Sequence, residues 1–123
     1  MRCLIMRTVK FILFSTLLAG CATAPAPGQG EAEDNLRDFA MANCLLQYFE
    51  KKNWDVTDIR GVTGGYVEMG HSPVETYSQI AETVQAWAPD IRTKHNLDTD
   101  LVKCFHLVEN TSLEAVISEA SHD

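Results

Sequence analysis

The sequence is poor in positive charge and in aromatic side chains. Ten Lys and Arg stand against seventeen Asp and Glu, which gives a formal net charge of −7 at pH 7. This balance disfavours a nucleic-acid partner, because nucleic-acid binding requires clustered basic side chains that neutralise phosphates. The sequence also lacks an apolar run of about 20 residues, which is the length that a membrane-spanning helix requires.

Motifs for metal, redox or nucleotide chemistry are missing as well. The four histidines stand at no zinc-ligand spacing, and there is no Cys-x-x-Cys pair. Gly61, Gly64 and Gly65 suggest a phosphate loop, but their spacing fits neither GxGxxG nor the Walker motif, and no strand pattern precedes them. We therefore predict that the chain is not an enzyme and binds no cofactor or metal.

The first twenty residues are typical of a secretion signal. A positive start is followed by an apolar run of about ten residues, half the length of a membrane-spanning helix. The true start is either Met1 or Met6, since the shorter version also makes a complete signal. The basic residues of the start are Arg2, Arg7 and Lys10.

The end of this signal resembles the lipobox of bacterial lipoproteins. Residues 18–21 read Leu-Ala-Gly-Cys, and in a lipobox the cysteine thiol is lipidated before cleavage. We predict a lipoprotein signal peptide at residues 1–20 and lipidation of Cys21. Ala22 at the following position, where Asp would be expected for inner-membrane retention, favours sorting to the outer membrane.

Cleavage at this point would leave a more acidic chain with two cysteines available to each other. The formal charge becomes three units more negative, because all three basic residues of the signal are removed. Cys3 leaves with the signal and Cys21 carries lipid, so Cys44 and Cys104 remain as one possible disulfide in an oxidising compartment; two free thiols are the alternative. A disulfide closing a loop of this length stabilises a domain by about 4 kcal/mol in the chain-entropy model.

The residues after Cys21 are typical of a tether, and those after Asp34 of helices. Residues 21–33 lack large apolar side chains and contain Pro, Gly and Gln, so we predict a lipidated tether followed by a folded domain at residues 34–123. In that domain apolar residues recur every three or four positions, which predicts an all-α bundle of about five helices with the disulfide linking helix 1 and helix 4. The predicted helix-starting residues are Asp34, Asp55, Ser72, Asp98 or Thr99, and Thr111.

Two positions predict how particular helices end. Gly70 is expected to close the second helix in a left-handed turn. Pro89 is expected to break the third helix near Trp87, because proline cannot donate to the carbonyl four residues earlier. Glycine inside a helix costs about 1 kcal/mol relative to alanine. The three glycines of the second helix are therefore expected to serve close packing, against Trp87 or Tyr48.

Four groups of short segments stand in a characteristic order along the chain: Ala42–Leu45, Gly64–Tyr66 with Glu68 and Gly70, Glu75–Tyr77, and Leu101–Cys104 with Leu107. Their order and spacing resemble the immunity proteins that protect bacteria from type VI secretion amidase effectors, specifically the family paired with the fourth class of those amidases. The resemblance covers about residues 35 to 119.

This resemblance implies a periplasmic, non-enzymatic inhibitor that forms homodimers and occludes the active site of a cysteine-dependent peptidoglycan amidase. In such proteins a loop between the third and fourth helices enters the cleft of the enzyme, and the third helix of the other subunit supports it. At the matching positions the loop is about Arg92–Asp98 and the helix is Val74–Ala88. The residues implied for the loop are Lys94, His95, Asn96, Leu97 and Asp98, and those for the helix are Glu75 and Glu82, whose charges would steer a basic effector.

A second function remains open on the residues alone. Small helical periplasmic chaperones that act under acid stress also carry one disulfide and release an apolar face when carboxylates are protonated, and seventeen acidic residues would supply that switch. The predicted lipid anchor favours the inhibitor, because anchoring to a membrane suits an inhibitor better than a chaperone that diffuses to its clients.

Overall fold

The computed structural model describes residues 28–123, and it is helical throughout that range except for the connections. The elements are α1 Gln29–Lys51, α2 Thr57–Met69, α3 Val74–Ala86, α4 Thr99–Val102, a 3-10 helix Lys103–Glu109, and α5 Thr111–His122. No strand occurs between residues 28 and 123. The predicted all-α bundle of about five helices is therefore confirmed, with α4 and the 3-10 helix together forming the fourth. The predicted signal peptide, Cys21 and the first part of the tether lie outside the described residues.

The longest helix, α1, begins earlier than the sequence predicted. It starts at Gln29, so Asp34 lies within the helix instead of capping it. The Glu33 carboxylate accepts a hydrogen bond from the Ser121 hydroxyl at 3.1 Å and pairs with Arg37 at 3.2 Å. The Ser121 bond, and then the Arg37 bond, lower the pKa of Glu33. The contact of Glu33 with Ser121 of α5 explains why α1 begins before Asp34.

The core lies where α1, α3, α5 and the 3-10 helix meet. Its residues follow the three- and four-residue spacing that places side chains on one helix face. Phe39 and Tyr77 pack edge to face across α1 and α3, with ring centroids 4.9 Å apart. Each fully buried large apolar side chain contributes about 1.5–3 kcal/mol through removal of its surface from water. The largest fully buried side chains are Leu36, Ile80, Leu113, Ile117, Val84, Cys44 and Cys104.

Cys44 and Cys104 form the predicted disulfide. Their Cα atoms are 5.6 Å apart, and both residues are buried. The bond joins the middle of α1 to the 3-10 helix across 60 residues of sequence. It therefore fixes the fourth helical segment against the central helix of the bundle.

The predictions for α2 were wrong in two respects. The spacing of Ile59, Val62, Tyr66 and Met69 in the sequence predicts that these side chains form one inward face. Val62 and Met69 are instead 50% and 71% exposed, and the buried residue of this helix is Thr63. The glycines at positions 61, 64 and 65 do not serve close packing either, because a Cβ added at any of them would meet no heavy atom of a neighbour within 4 Å. This helix lies on the surface of the bundle with its glycines in open space.

Gly70 is the glycine that packing does require. Its backbone is extended, with φ −79° and ψ 162°, so the left-handed turn predicted here is wrong. A Cβ at this position would overlap the Tyr77 hydroxyl and lie 2.6 Å from Asn35 Oδ1. That hydroxyl donates to Asn35 Oδ1 at 2.7 Å, while Asn35 Nδ2 donates to the Tyr66 carbonyl at 3.0 Å. The network joins the end of α2 to α1 and α3 and leaves no room for a side chain.

Two of the predicted helix-starting residues, Ser72 and Thr111, do not cap their helices. No side-chain bond from Ser72 caps α3; instead Pro73, in an extended conformation, precedes the helix and its carbonyl accepts from Thr76 at 3.0 Å. At the start of α5 the cap is Asn110, whose Oδ1 accepts from the Leu113 amide at 3.1 Å, and not Thr111. Both helices begin within a residue or two of the predicted position, so the error concerns the capping group and not the helix.

Candidate functional site

The connection between α3 and α4 is the longest non-helical stretch among residues 28–123, and its first end is held by Lys103. The helix stops at Ala86, and Trp87 is already extended, as Pro89 predicted. Lys103 Nζ lies 3.2 Å from the Trp87 carbonyl and 3.5 Å from the Val84 carbonyl. A cation at this place binds carbonyl groups that have no partner within the helix and interacts favourably with the helix dipole. Since Lys103 is next to Cys104, the disulfide holds it in position.

The second end of the connection is held by Asp98. Its side chain accepts from the Asp100 amide at 3.0 Å, which caps α4 as predicted. The same carboxylate pairs with Lys52 at 2.5 Å and accepts from the Tyr48 hydroxyl at 3.4 Å. The Lys52 bond is the main cause that lowers the pKa of Asp98, so this group is ionised at neutral pH. Asp98, predicted to bind the effector, is thus already committed to α1 and α4.

The middle of the connection is exposed and is held only by local contacts. The Thr93 hydroxyl donates to the His95 carbonyl at 2.6 Å, and the Leu97 amide donates to the same oxygen. Within residues 28–123 the side chains of Lys94, His95 and Asn96 make no hydrogen bond or ion pair, and Leu97 is 57% exposed. We refer to residues 94–97 as the loop tip. It combines one cation, one imidazole, one amide and one apolar side chain, all free to meet another surface.

The two glutamates predicted on α3 lie on one exposed face of that helix. Glu75 and Glu82 are seven residues apart, which places them on the same face of the helix two turns apart. This face is exposed, and it is opposite the buried face of Tyr77, Ile80 and Val84. Neither glutamate forms an ion pair within the described part of the chain. Glu75 stands at the start of α3, and a helix of 13 residues is about 20 Å long. Glu75 therefore lies at the end of α3 opposite to the end at which the loop begins.

A groove of about 470 Å³ runs beside the first end of the loop. It lies between α1, the end of α3 and α4, and its walls carry both aromatic and charged side chains. The residues that line it include Tyr48, Lys51, Gln85, Trp87, Pro89 and Lys103. Residues 28–123 contain no group of three or more His, Cys, Asp or Glu side chains that could hold a metal ion.

Residues 34–117 match the family model described as type VI secretion system amidase immunity protein (Tai4). The chain belongs to this immunity protein family. The match extends from α1 to α5 and so includes the loop and both of its attachments. It confirms the family that the short segments resembled. No curated protein and no solved structure gives a significant match.

Membership of the immunity protein family indicates the general function of the chain. An amidase immunity protein counteracts an amidase effector, which suggests an inhibitor without catalytic activity of its own and an amidase as its partner. That the loop tip and Asp98 bind the effector stays a prediction from the family resemblance, and the sequence analysis missed the side chains that hold the loop in place. Lys52, Tyr48 and Lys103 gave no signal in the sequence, since each acts on a residue at least 16 positions away.

Proposed function

We propose that this immunity protein binds a cysteine-dependent peptidoglycan amidase and occludes its active site with the loop between α3 and α4. The observation that supports the proposal is the contrast between the exposed loop tip and the two fixed ends of the loop. A tip whose side chains have no partner within residues 28–123 is available for binding. Ends that are fixed by Lys103, Lys52 and Tyr48 reduce the conformational freedom that the loop would lose on binding.

Occlusion requires shape and not chemistry from the inhibitor. A cysteine nucleophile works only if substrate reaches it, so filling the cleft is sufficient to stop hydrolysis. Leu97 supplies the apolar contact of the tip, and Lys94, His95 and Asn96 supply hydrogen-bond donors and acceptors around it. None of these side chains has to give up an existing partner within the described residues in order to bind the enzyme.

We further propose a homodimer in which α3 of one protomer supports the loop of the other. The support for this is the exposed face of α3, where Glu75 and Glu82 are unpaired among the described residues. In such a dimer the glutamates of one copy would meet the same enzyme surface as the loop tip of the other copy. Their negative charge would steer a basic effector surface into the complex.

The proposed place of action is the periplasm, with the protein anchored by lipid on Cys21 to the outer membrane. A buried disulfide is consistent with an oxidising compartment. The predicted signal and lipobox supply the export route and the anchor. Replacement of Cys21 by Ser, followed by fractionation of the cells, should release the protein from the membrane fraction if the anchor is as proposed.

The decisive experiment pairs the chain with the amidase encoded beside its gene. Cells that direct this amidase to the periplasm should lyse, and co-expression of the immunity protein should prevent lysis. Lysis that continues in the presence of the folded, co-expressed protein contradicts the proposal. If the protein instead suppressed aggregation of unrelated clients at pH 3 and did not bind the amidase, the chaperone alternative would replace it.

A further inference from the structure

Trp54 is an exposed tryptophan at the turn between α1 and α2. Its side chain is 53% exposed. The other tryptophan of the sequence is Trp87. The preceding residue, Asn53, has a positive φ of 55°, which is the one positive φ among the non-glycine residues between 28 and 123. Asparagine tolerates this left-handed conformation better than most residues. The backbone thus adopts an uncommon conformation in order to reverse direction just before Trp54.

The turn fixes the indole ring against two other aromatic rings. The Trp54 amide donates to the Phe49 carbonyl at 3.0 Å. Its ring lies edge to face with those of Tyr48 and Phe49, with centroids 5.6 Å and 5.4 Å apart. One side of the indole therefore packs on α1, and the other side is presented to solvent in a fixed orientation.

The same rings connect Trp54 to the loop. Tyr48 donates through its hydroxyl to Asp98, the second end of the loop, while its ring contacts Trp54. Lys52 Nζ is 5.5 Å from the centroid of the Tyr48 ring and pairs with Asp98. Trp54 and the end of the loop are thus parts of one cluster of contacting side chains, which consists of Tyr48, Phe49, Lys52, Trp54 and Asp98.

We propose that Trp54 is a second contact point for the amidase, an aromatic anchor that packs into an apolar depression beside the cleft that the loop tip enters. This inference rests on the proposed function. Tryptophan is enriched among the residues that dominate binding energy, and a ring that is already fixed loses little entropy on binding. The nearby charges are paired within the protein: Lys52 with Asp98, Lys51 with Asp100, and Arg60 with Glu50. They form a polar rim beside the indole. This rim also includes Asp55, whose carboxylate accepts from the Thr57 amide at 2.9 Å and from the Thr57 hydroxyl at 2.7 Å and has no cationic partner within residues 28–123.

The test compares the affinity of the wild-type protein and of Trp54→Ala for the amidase encoded beside the gene, by calorimetry. Removal of a fixed aromatic anchor should weaken binding at least about 10-fold. The matched control is Phe105→Ala. Phe105 is an aromatic side chain with 66% exposure, and it lies on the 3-10 helix near the first half of α1, away from the loop. Its removal should change the affinity less than about 2-fold.

A second measurement keeps the test valid if Trp54→Ala is poorly folded. The wild-type protein labelled with 5-fluorotryptophan gives two fluorine resonances, and Trp54→Phe identifies that of Trp54. On addition of unlabelled amidase the Trp54 resonance should shift and lose its sensitivity to exchange of H2O for D2O, since the ring becomes buried. An unchanged resonance in the saturated complex overturns the proposal.

The outcomes separate this inference from the proposed function. If the wild-type protein does not bind the amidase, both are wrong. If it binds and Leu97→Ala weakens binding while Trp54→Ala does not, the loop acts as proposed and the inference about Trp54 alone is wrong. If both substitutions weaken binding and the control does not, both are supported.

Discussion

The two ends of the loop between α3 and α4 differ sharply from its tip. At the ends, Trp87 and Asp98 are bound by side chains from α1 and from the 3-10 helix, and those helices are joined by the disulfide. At the tip, residues 94–97 form hydrogen bonds only within the loop itself in the described part of the chain. The same connection therefore contains residues that belong to the folded bundle and residues that do not.

This difference teaches how a small domain can separate stability from binding. Substitution at the ends should change the free energy of unfolding, because it removes contacts between elements. Substitution at the tip should change affinity for the amidase and leave the fold intact. Four predictions test whether this separation holds.

The largest effect is expected for the disulfide. Replacement of Cys44 and Cys104 by Ser should lower the free energy of unfolding by about 4 kcal/mol, since the unfolded chain regains the freedom that closure across 60 residues removes. Urea unfolding at neutral pH measures it. The wild-type protein under strong reductant should approach the stability of the double variant. An equal melting temperature with and without reductant would contradict the prediction.

The second effect concerns affinity alone. Leu97→Ala at the loop tip should weaken binding to the amidase at least about 10-fold, if Leu97 is the apolar contact of the tip. Its stability should remain within about 0.5 kcal/mol of the wild type, because the side chain is already exposed. Val108→Ala, another exposed apolar position, is the control and should change neither property. A loss of stability in Leu97→Ala would show that the tip is part of the bundle after all.

The third effect tests the first end of the loop. Lys103→Met should lower the free energy of unfolding by about 1 kcal/mol, since it removes a charged hydrogen bond to the carbonyls at the end of α3 while keeping an apolar chain of similar length. Lys94→Met at the loop tip removes the same charge from an exposed position and should leave stability unchanged. Equal stability changes in the two variants would remove the distinction between end and tip.

Local signals in the sequence were enough to predict most of the loop. Pro89 marked the end of α3, and Asp98 marked the start of α4, because each acts on backbone groups within a few residues of itself. The cysteine pair followed from elimination. The family resemblance supplied the loop tip as the binding residues, and the fold is consistent with that assignment by leaving them exposed.

Long-range contacts were not predictable in the same way. The hydrogen bond between Tyr48 and Asp98 joins residues that are 50 positions apart, and the sequence around neither residue indicates it. The face of α2 was misjudged because its apolar residues fit an inward stripe, while in the structure α1 already has α3 and α5 against its core face. Gly70 was expected to provide a turn, but its role is to leave space for Tyr77, a requirement that only the assembled helices create.

The smallest effect is expected at the second end of the loop, and its pH dependence identifies the cause. Asn also caps helices, so Asp98→Asn should keep the cap on α4 and remove only the charge that pairs with Lys52. The lowered pKa of Asp98 means that the folded state favours the ionised form. The stabilisation is therefore present above the ordinary Asp pKa of 3.8 and is lost as the pH falls through the lower pKa of Asp98 in the folded state.

Urea unfolding of both proteins between pH 7 and pH 2 should show that the wild type is more stable at pH 7 and that the difference in stability closes below about pH 4. Asp90 pairs with Arg92 at 3.8 Å, and both side chains are almost fully exposed. Asp90→Asn should therefore be as stable as the wild type at pH 7 and at pH 2. If the Asp98→Asn difference were the same at every pH, a neutral contact and not the charge would be holding this end of the loop.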